Sequence, residues 1–375
     1  MKRINYFIIT LFLITGYAGS IKSADELVVI NVTKSYPKKE LNLKDIVDIE
    51  YIPLETTNEF LCPGNLKATV SDNLIAVTDP KGSAIILFDR TGKGLKNINK
   101  RGQGPGEYLM VSEIALDEDN NEMYVLDMIL TQIFVYDLQG KFIRSFKFQD
   151  GYNAQSIRNF DREHLMCLGI YKPQDVKPPF FVISKKDGAF KEFIEIPRIK
   201  QISISSNQLG FRSTVFPLSY VPYRNNWMLS DYSSDSIFMF SLDFKLTPFI
   251  ARTPPIHSMN PEVVLRPTMF TDRYYFMEIE KYTSGEDVRT QLVYDCMEKA
   301  LFEFTIYNDD YPDKPFVIPR GTAITSNEVV SVSKFESFEL VEAYKEGKLK
   351  GRLKEIASKS DDEDNPVLML LKHKK

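Results

Sequence analysis

The sequence predicts an all-β protein: a six-bladed β-propeller of four-stranded antiparallel blades, closed by its N- and C-terminal strands, with one helical insert in the last blade. Three observations lead there. Strand–turn–strand units recur with a period of about 50 residues, a length that holds about four strands and marks propeller blades. Phe (26) and Tyr (19) far outnumber Trp (1), which suits strands better than helices. A strand-like segment at each end of the chain lacks a blade of its own, as closure by shared strands requires.

The N-terminus reads as a removable leader. Lys2 and Arg3 precede the apolar run Tyr6 to Thr15, and small residues follow at Gly16, Ala18, Gly19 and Ser20. Such a run is too short to span a bilayer and fits a secretory signal over residues 1–24, cut between Ala18 and Ala24. Residues 25–375 then form one propeller domain. Its three cysteines, Cys62, Cys167 and Cys296, make no short-spaced pair, and a core of this size needs no disulfide framework. With no Cys near the cleavage region, the expectation is a periplasmic or secreted protein that is neither lipid-anchored nor inserted in a membrane.

The repeat is clearest in the first two units. Leu74 to Asp79 and Ile85 to Lys93 match Glu122 to Asp127 and Ile133 to Lys141; Asp79 and Asp127, like Asp89 and Asp137, stand 48 residues apart. Each unit reads as strand, loop, strand, then an Asp-x-x-Gly-Lys turn into a further strand. Weaker copies follow at Phe180 to Gly188, Trp227 to Lys245, Tyr274 to Lys299 and, from Thr322, Val329 to Ser333. The chain is long enough for seven blades, but the markers count six. The end strands, Ile46 to Leu54 and Pro366 to Lys372, are assigned to blade six. Between them and the sixth marker, Phe338 to Ser358 is read as helical, with Leu349, Leu353, Ile356 and Ala357 on one face packed against the propeller. The acidic run Asp361 to Asp364 reads as a solvated loop after it.

Arg101-Gly-Gln-Gly-Pro-Gly-Glu-Tyr108 is the most distinctive string. A glycine-rich phosphate cradle should open a helix, yet the next segment, Ser112 to Asp117, is strand-like. The reading is therefore a tight crossover between blades. Gly104-Pro-Gly-Glu-Tyr108, Ile114 to Asp117, Met123 to Asp127 and Ile133 to Asp137 through Gly140 and Phe146 together resemble one NHL-type propeller repeat. Asp48-Ile-Glu-Tyr-Ile-Pro-Leu-Glu-Thr-Thr57 and Asp364-Asn-Pro-Val-Leu-Met369 resemble the opening and closing signatures of the exported six-bladed β-propeller family common in Bacteroidetes. The resemblance implies a propeller, export and a binding role, and it supplies no catalytic residues.

Three further segments share Arg-x-Thr followed by two apolar residues: those starting at Arg212, Arg266 and Arg320, with 54 residues between successive arginines. Their positions just before inner strands suggest guanidinium groups around one channel mouth, each able to grip a carboxylate or phosphate. The competing reading is hydrogen bonding to the next blade's carbonyls. Arg101 and Tyr108 are expected to reach the same region, and Glu113 to stand at the entrance of blade two. The candidate ligand site is therefore Arg101, Tyr108, Glu113, Arg212, Arg266 and Arg320.

With only His164, His257 and His373, a histidine-rich zinc site cannot be assembled, and no Gly-x-Ser-x-Gly elbow accompanies them. No cofactor or catalytic residue is predicted, although calcium could be held by scattered oxygen ligands. A net charge of −4 gives no field for nucleic acid. The leading expectation is an exported binding or scaffold propeller for an anionic glycan or peptide. A metal-dependent propeller lyase or hydrolase is the first alternative, and a structural partner of a cell-envelope protein the second.

Overall fold

The computed structural model describes residues 27–62, 66–79, 81–149, 151–170, 178–199, 204–208, 211–215, 218–281, 288–319, 323–324 and 328–374; for 204–208, 211–215 and 323–324 the backbone alone is described. The segment read as a signal lies outside them.

Six sheets form the ring. Blade one comprises Lys67–Val70, Leu74–Thr78, Ile85–Asp89 and Gly94–Ile98; blade two Glu113–Asp117, Glu122–Asp127, Gln132–Asp137 and Phe142–Lys147. Blade three comprises Ala154–Asn159, His164–Gly169, Phe180–Ser184 and Phe190–Ile194, and is followed by a separate hairpin, Ile204–Gln208 with Phe211–Val215. Blade four comprises Leu218–Tyr223, Asn226–Asp231, Ser236–Phe240 and Leu246–Thr253; blade five Val263–Phe270, Tyr274–Lys281, Val288–Asp295 and Ala300–Asn308. In blade six, Val329–Phe335 pairs with Val367–Lys372, which pairs antiparallel with Asp48–Pro53. The short strand Ala323–Ile324, just ahead of Val329–Phe335 in the chain, pairs in parallel with Thr69 and Val70 and so extends the sheet of blade one. The two chain ends thus close the ring as the sequence indicated.

What holds the ring is burial between neighbouring sheets. Six apolar clusters each span one interface between blades. Between blades one and two, for example, Ile85 and Leu87 meet Ile114, Leu116 and Met123. Middle strands are covered on both faces, so Leu74–Thr78 and Gln132–Asp137 read as continuous apolar runs, while the outer strand Phe142–Lys147 alternates strictly. The repeated Asp turns have a local cause. Asp89 Oδ1 accepts from the amides of Thr91 (2.8 Å) and Lys93 (3.1 Å), and Asp137 Oδ1 accepts from Gln139 (3.0 Å) and Lys141 (2.8 Å). Gly92 and Gly140 take φ of +89° and +80° in these turns, a backbone that favours glycine.

The N-terminal segment does more than close blade six. Val28–Asn31 adds in parallel to the outer strand of blade four, and Lys38–Asn42 adds in parallel to that of blade five. Residues 28–53 therefore strap the rims of three consecutive blades. Each added strand turns its buried apolar residue inward, Ile30 on blade four and Leu41 on blade five. The segment read as a helical insert contains two short helices, Ser337–Lys345 and Gly351–Ala357, between the strands of blade six. Leu340, Ala343, Leu349, Leu353 and Ile356 pack with Val367, Tyr51 and Phe335, so the apolar face is spent on the propeller itself.

Candidate functional site

Every inner strand runs from one mouth of the central channel, called here the upper mouth, to the other. A cavity of about 340 Å³ opens along the inner strands of blades two to five, from the strand start at Glu113 and Leu218 inward. Blade two contributes Glu113, blade three Ser156 and Arg158, blade four Tyr220, and blade five Arg266 and Thr268. A second cavity of about 400 Å³ lies at the strand ends, and Pro222 lines both.

The upper cavity contains one connected network. The Arg158 Nη1 atom is 3.3 Å from Glu113 Oε2 and donates to the Ile157 carbonyl at 2.7 Å. Ser156 Oγ donates to Glu113 Oε2 at 2.9 Å, and the Tyr220 hydroxyl donates to Ser156 Oγ at 2.7 Å. A carboxylate can only accept, so the donor order is fixed as Tyr220 to Ser156 to Glu113. Burial pushes the Tyr220 phenol up to about 12, against a lowering by Arg158, so it holds its proton at neutral pH. For Arg158, burial pulls the guanidinium down, but Glu113 and Tyr220 outweigh it and the net shift is upward. Its guanidinium carbon also sits 5.5 Å from the centre of the Tyr220 ring.

Blade five supplies the other wall. Arg266 Nη2 lies 3.4 Å from Glu280 Oε2, and Arg289 Nε lies 3.6 Å from the second oxygen of Glu280. Glu280 is 1% exposed, whereas the Arg266 side chain keeps 21% exposure. Arg266 also stacks over Tyr232 at 5.3 Å. Beside it, the Thr268 hydroxyl is buried and has no hydrogen-bond partner among the described residues.

The lower mouth is a zipped rim. The turn of blade one is tied to blade two by Asn73 Nδ2 donating to Glu118 Oε2 (2.8 Å), and blade two to blade three by Asn120 Nδ2 donating to the Arg162 carbonyl (2.9 Å). Arg224 of blade four pairs with Asp272 of blade five at 2.8 Å. The buried Lys185 ammonium donates to Asp117 Oδ2 (2.6 Å) and to the Asp161 carbonyl (2.7 Å). The polar groups here are largely committed to joining neighbouring blades.

The sequence-selected residues separate accordingly. Glu113 and Arg266 share the upper cavity. Arg101 and Tyr108 bridge each other in the crossover from blade one to blade two and do not line it. Tyr108 is fully buried, with its hydroxyl against the backbone of Lys100, Ser83 and Ile98. The glycine string around it is structural. Glu107 folds back to accept from the Gly104 amide at 2.8 Å, and a side chain on Gly102 would collide with that carboxylate.

Arg266 lies within its inner strand, not before it, and Arg212 lies in the separate hairpin opposite Asn207. Equal spacing therefore does not give equivalent positions, because the hairpin is inserted between blades three and four. The Arg212 side chain and the whole of Arg320 lie outside the described residues.

Ser156, Arg158 and Tyr220 escaped the sequence reading, and Thr268 entered it only as part of the Arg-x-Thr motif that starts at Arg266. One signal was present: Ser156 falls 43 residues after Glu113, the same offset as Asn159 from Leu116, to whose carbonyl the Asn159 amide donates. Aligning inner strands at that offset finds Ser156. Among the described residues, no three His, Cys, Asp or Glu side chains converge as a metal-ligand set, and no helix is long and apolar enough to cross a membrane.

Fold and cavity together define a six-bladed β-propeller with a polar pocket at one mouth of its channel. The chain belongs to the family described as Domain of unknown function (DUF4934), whose model matches residues 27–372. Among solved structures it is similar to a putative exported protein from Bacteroides fragilis, at 14% identity and a TM-score of 0.63, covering 93% of this chain and 100% of that one. A member of the duf4221 family from Bacteroides vulgatus matches at 12% identity and a TM-score of 0.42, covering 71% and 90%. At these identities the likeness concerns the fold alone. A search of the curated proteins found no match.

Proposed function

We propose that this chain is an exported binding propeller that holds a small anionic ligand, a glycan or peptide, in the upper cavity. The observation that carries the reading is the convergence of polar side chains from four blades, Glu113, Arg158, Tyr220 and Arg266, on one cavity of about 340 Å³. Concave pockets of this size with a few convergent polar groups are the usual sites of small ligands. The Arg266 guanidinium is the group positioned to receive the anion, since both arginines pair with a glutamate but the Arg266 side chain keeps 21% exposure whereas Arg158 is 5% exposed. Export is supported by the basic and apolar N-terminal residues and by the same fold in a protein described as a putative exported protein.

The test is calorimetric titration of the full chain with a panel of acidic oligosaccharides and acidic peptides. Arg266→Ala, with circular dichroism unchanged, is expected to weaken capture about tenfold or more, the worth of a charge-assisted contact. Equal affinity for wild type and variant would remove the proposal.

A further inference from the structure

Resting on that reading of the upper cavity, we infer that its ligand is a sugar acid: a carboxylate held by Arg266, with neighbouring hydroxyl groups donating to Glu113, Ser156 and Tyr220. The donor order of the network decides what the ligand must offer. Tyr220 spends its only proton on Ser156, and Ser156 spends its own on Glu113. Toward a ligand, these oxygens are left as acceptors, and so is the second oxygen of Glu113. Apart from the Arg158 guanidinium, which is 5% exposed and faces Glu113 and the Ile157 carbonyl, the wall formed by blades two to four asks for donors. The facing wall on blade five offers the Arg266 guanidinium, 21% exposed and paired with Glu280 through Nη2, whose other N–H groups can serve an acceptor, and the buried Thr268 hydroxyl, which has no hydrogen-bond partner among the described residues. A ligand satisfying both walls is bifunctional.

Charge then separates the bifunctional candidates. An amino acid or peptide end would set an ammonium against Glu113. That carboxylate is already balanced by Arg158 at 3.3 Å, so an ammonium gains little attraction and meets a guanidinium close behind. Uncharged hydroxyls fit the same acceptors with no charge to desolvate.

On blade five, Glu280 takes both Arg266 and Arg289, and Glu278 stands opposite Arg266 in the strand register. Two carboxylates thus accompany two guanidiniums on that face. A monoanionic carboxylate can be accepted there, but a phosphate dianion would bring a second charge beside Glu278 and Glu280. The remaining walls, with Leu168, Val221 and Pro267, give apolar surface for the face of a sugar ring.

The experiment titrates the full chain with glucuronate and galacturonate disaccharides, N-acetylneuraminate, their methyl esters, an Asp/Glu-rich peptide and inorganic phosphate. At least one sugar acid is expected to bind, with its methyl ester about tenfold weaker or worse. Tyr220→Phe, which keeps the ring over Arg158, is expected to weaken the sugar acid several-fold; Glu113→Gln, which keeps the shape, should weaken it further. If the peptide or phosphate binds instead, and Arg266→Ala abolishes that binding, the sugar-acid inference is overturned while the binding reading stands. If none of the probes binds, or if binding ignores Arg266→Ala, both fall.

Discussion

Asn365 Oδ1 accepts the Cys62 backbone amide at 2.7 Å, joining the loop after the first closing strand to the loop before the last. The same side chain donates from Nδ2 to the carbonyls of Glu55 (2.6 Å) and Phe60 (2.5 Å), and its own amide donates to Thr56 Oγ1 at 2.8 Å. Asn365 is 2% exposed, so these bonds have no water to replace them. Asn365→Asp would set a carboxylate oxygen against two carbonyl oxygens and leave both without a donor. A loss of about 2 kcal/mol in unfolding free energy is expected.

Cys62 reports whether that loss is local. Burial pushes its thiol up to about 12, so it should resist alkylation at pH 8 in the native ring. In a Cys296→Ser background, Asn365→Asp should speed labelling of Cys62 while Cys167, buried between blades two and three, stays protected. Equal acceleration at both cysteines would mean global unfolding and would contradict a closure role.

Gly92 and Gly347 offer a controlled comparison, since both have positive φ, +89° and +72°. A Cβ on Gly92 would lie 2.0 Å from the Pro53 carbonyl oxygen, at the end of the closing strand, whereas one on Gly347 meets nothing within 4 Å. Gly347→Ala should cost only backbone strain, about 1 kcal/mol. Gly92→Ala must also displace the strand that closes blade six and should cost clearly more. Urea denaturation of the two variants decides it, and equal midpoints would show that the close approach carries no weight.

These contacts also explain which parts of the fold the sequence disclosed. The Asp89 and Asp137 turns were visible because each aspartate bonds amides within its own four residues, so the chemistry is written as a contiguous string. The two closing signatures were legible only through their resemblance to a known family, because the bonds that join Glu55 and Thr56 to Asn365 span 310 and 309 residues. The straps Val28–Asn31 and Lys38–Asn42 were not visible. A parallel edge strand of four or five residues buries one apolar side chain and needs no turn, so it leaves no period to detect. The cavity network was hidden because its bonds join residues 43 and 64 apart in different blades. The equal spacing of Arg212 and Arg266 misled on equivalence because Arg212 lies in a hairpin between blades and Arg266 in an inner strand.

Asp295 makes the strap sensitive to acid. Its carboxylate is fully buried; burial alone would raise its pKa, but hydrogen bonds from Arg273 (3.0 Å), from Lys39 of the strap (2.9 Å) and from the amides of Glu298 and Met297 hold it well below the carboxylate range. A depressed folded pKa gives stability that is complete above the unfolded value, about 3.9, and is lost as pH falls toward the folded one. The unfolding midpoint should therefore drop below about pH 4. Asp295→Asn should flatten part of that drop and cost about 2 kcal/mol at pH 7, since Lys39 and Arg273 are partly exposed and can rehydrate. An unchanged acid limb in the variant would exclude Asp295 as its source.

The strap itself can be tested at Ile30. This residue is fully buried against Ile237, Phe249 and Ile250, and its strand pairs Val28 with Ile250 and Asn31 with Thr253 along the outer edge of blade four. Ile30→Ala removes the one fully buried side chain that holds the strand down, and a cost of about 3 kcal/mol is expected for such a truncation. Because the strand touches the ring only at its rim, the effect should be local. Hydrogen exchange should quicken in Leu246–Thr253, whose outer hydrogen bonds the strap supplies, while the inner strand of blade four and the whole of blade two keep their protection. Faster exchange spread evenly around the ring would show instead that the strap is part of one cooperative unit with the blades it covers.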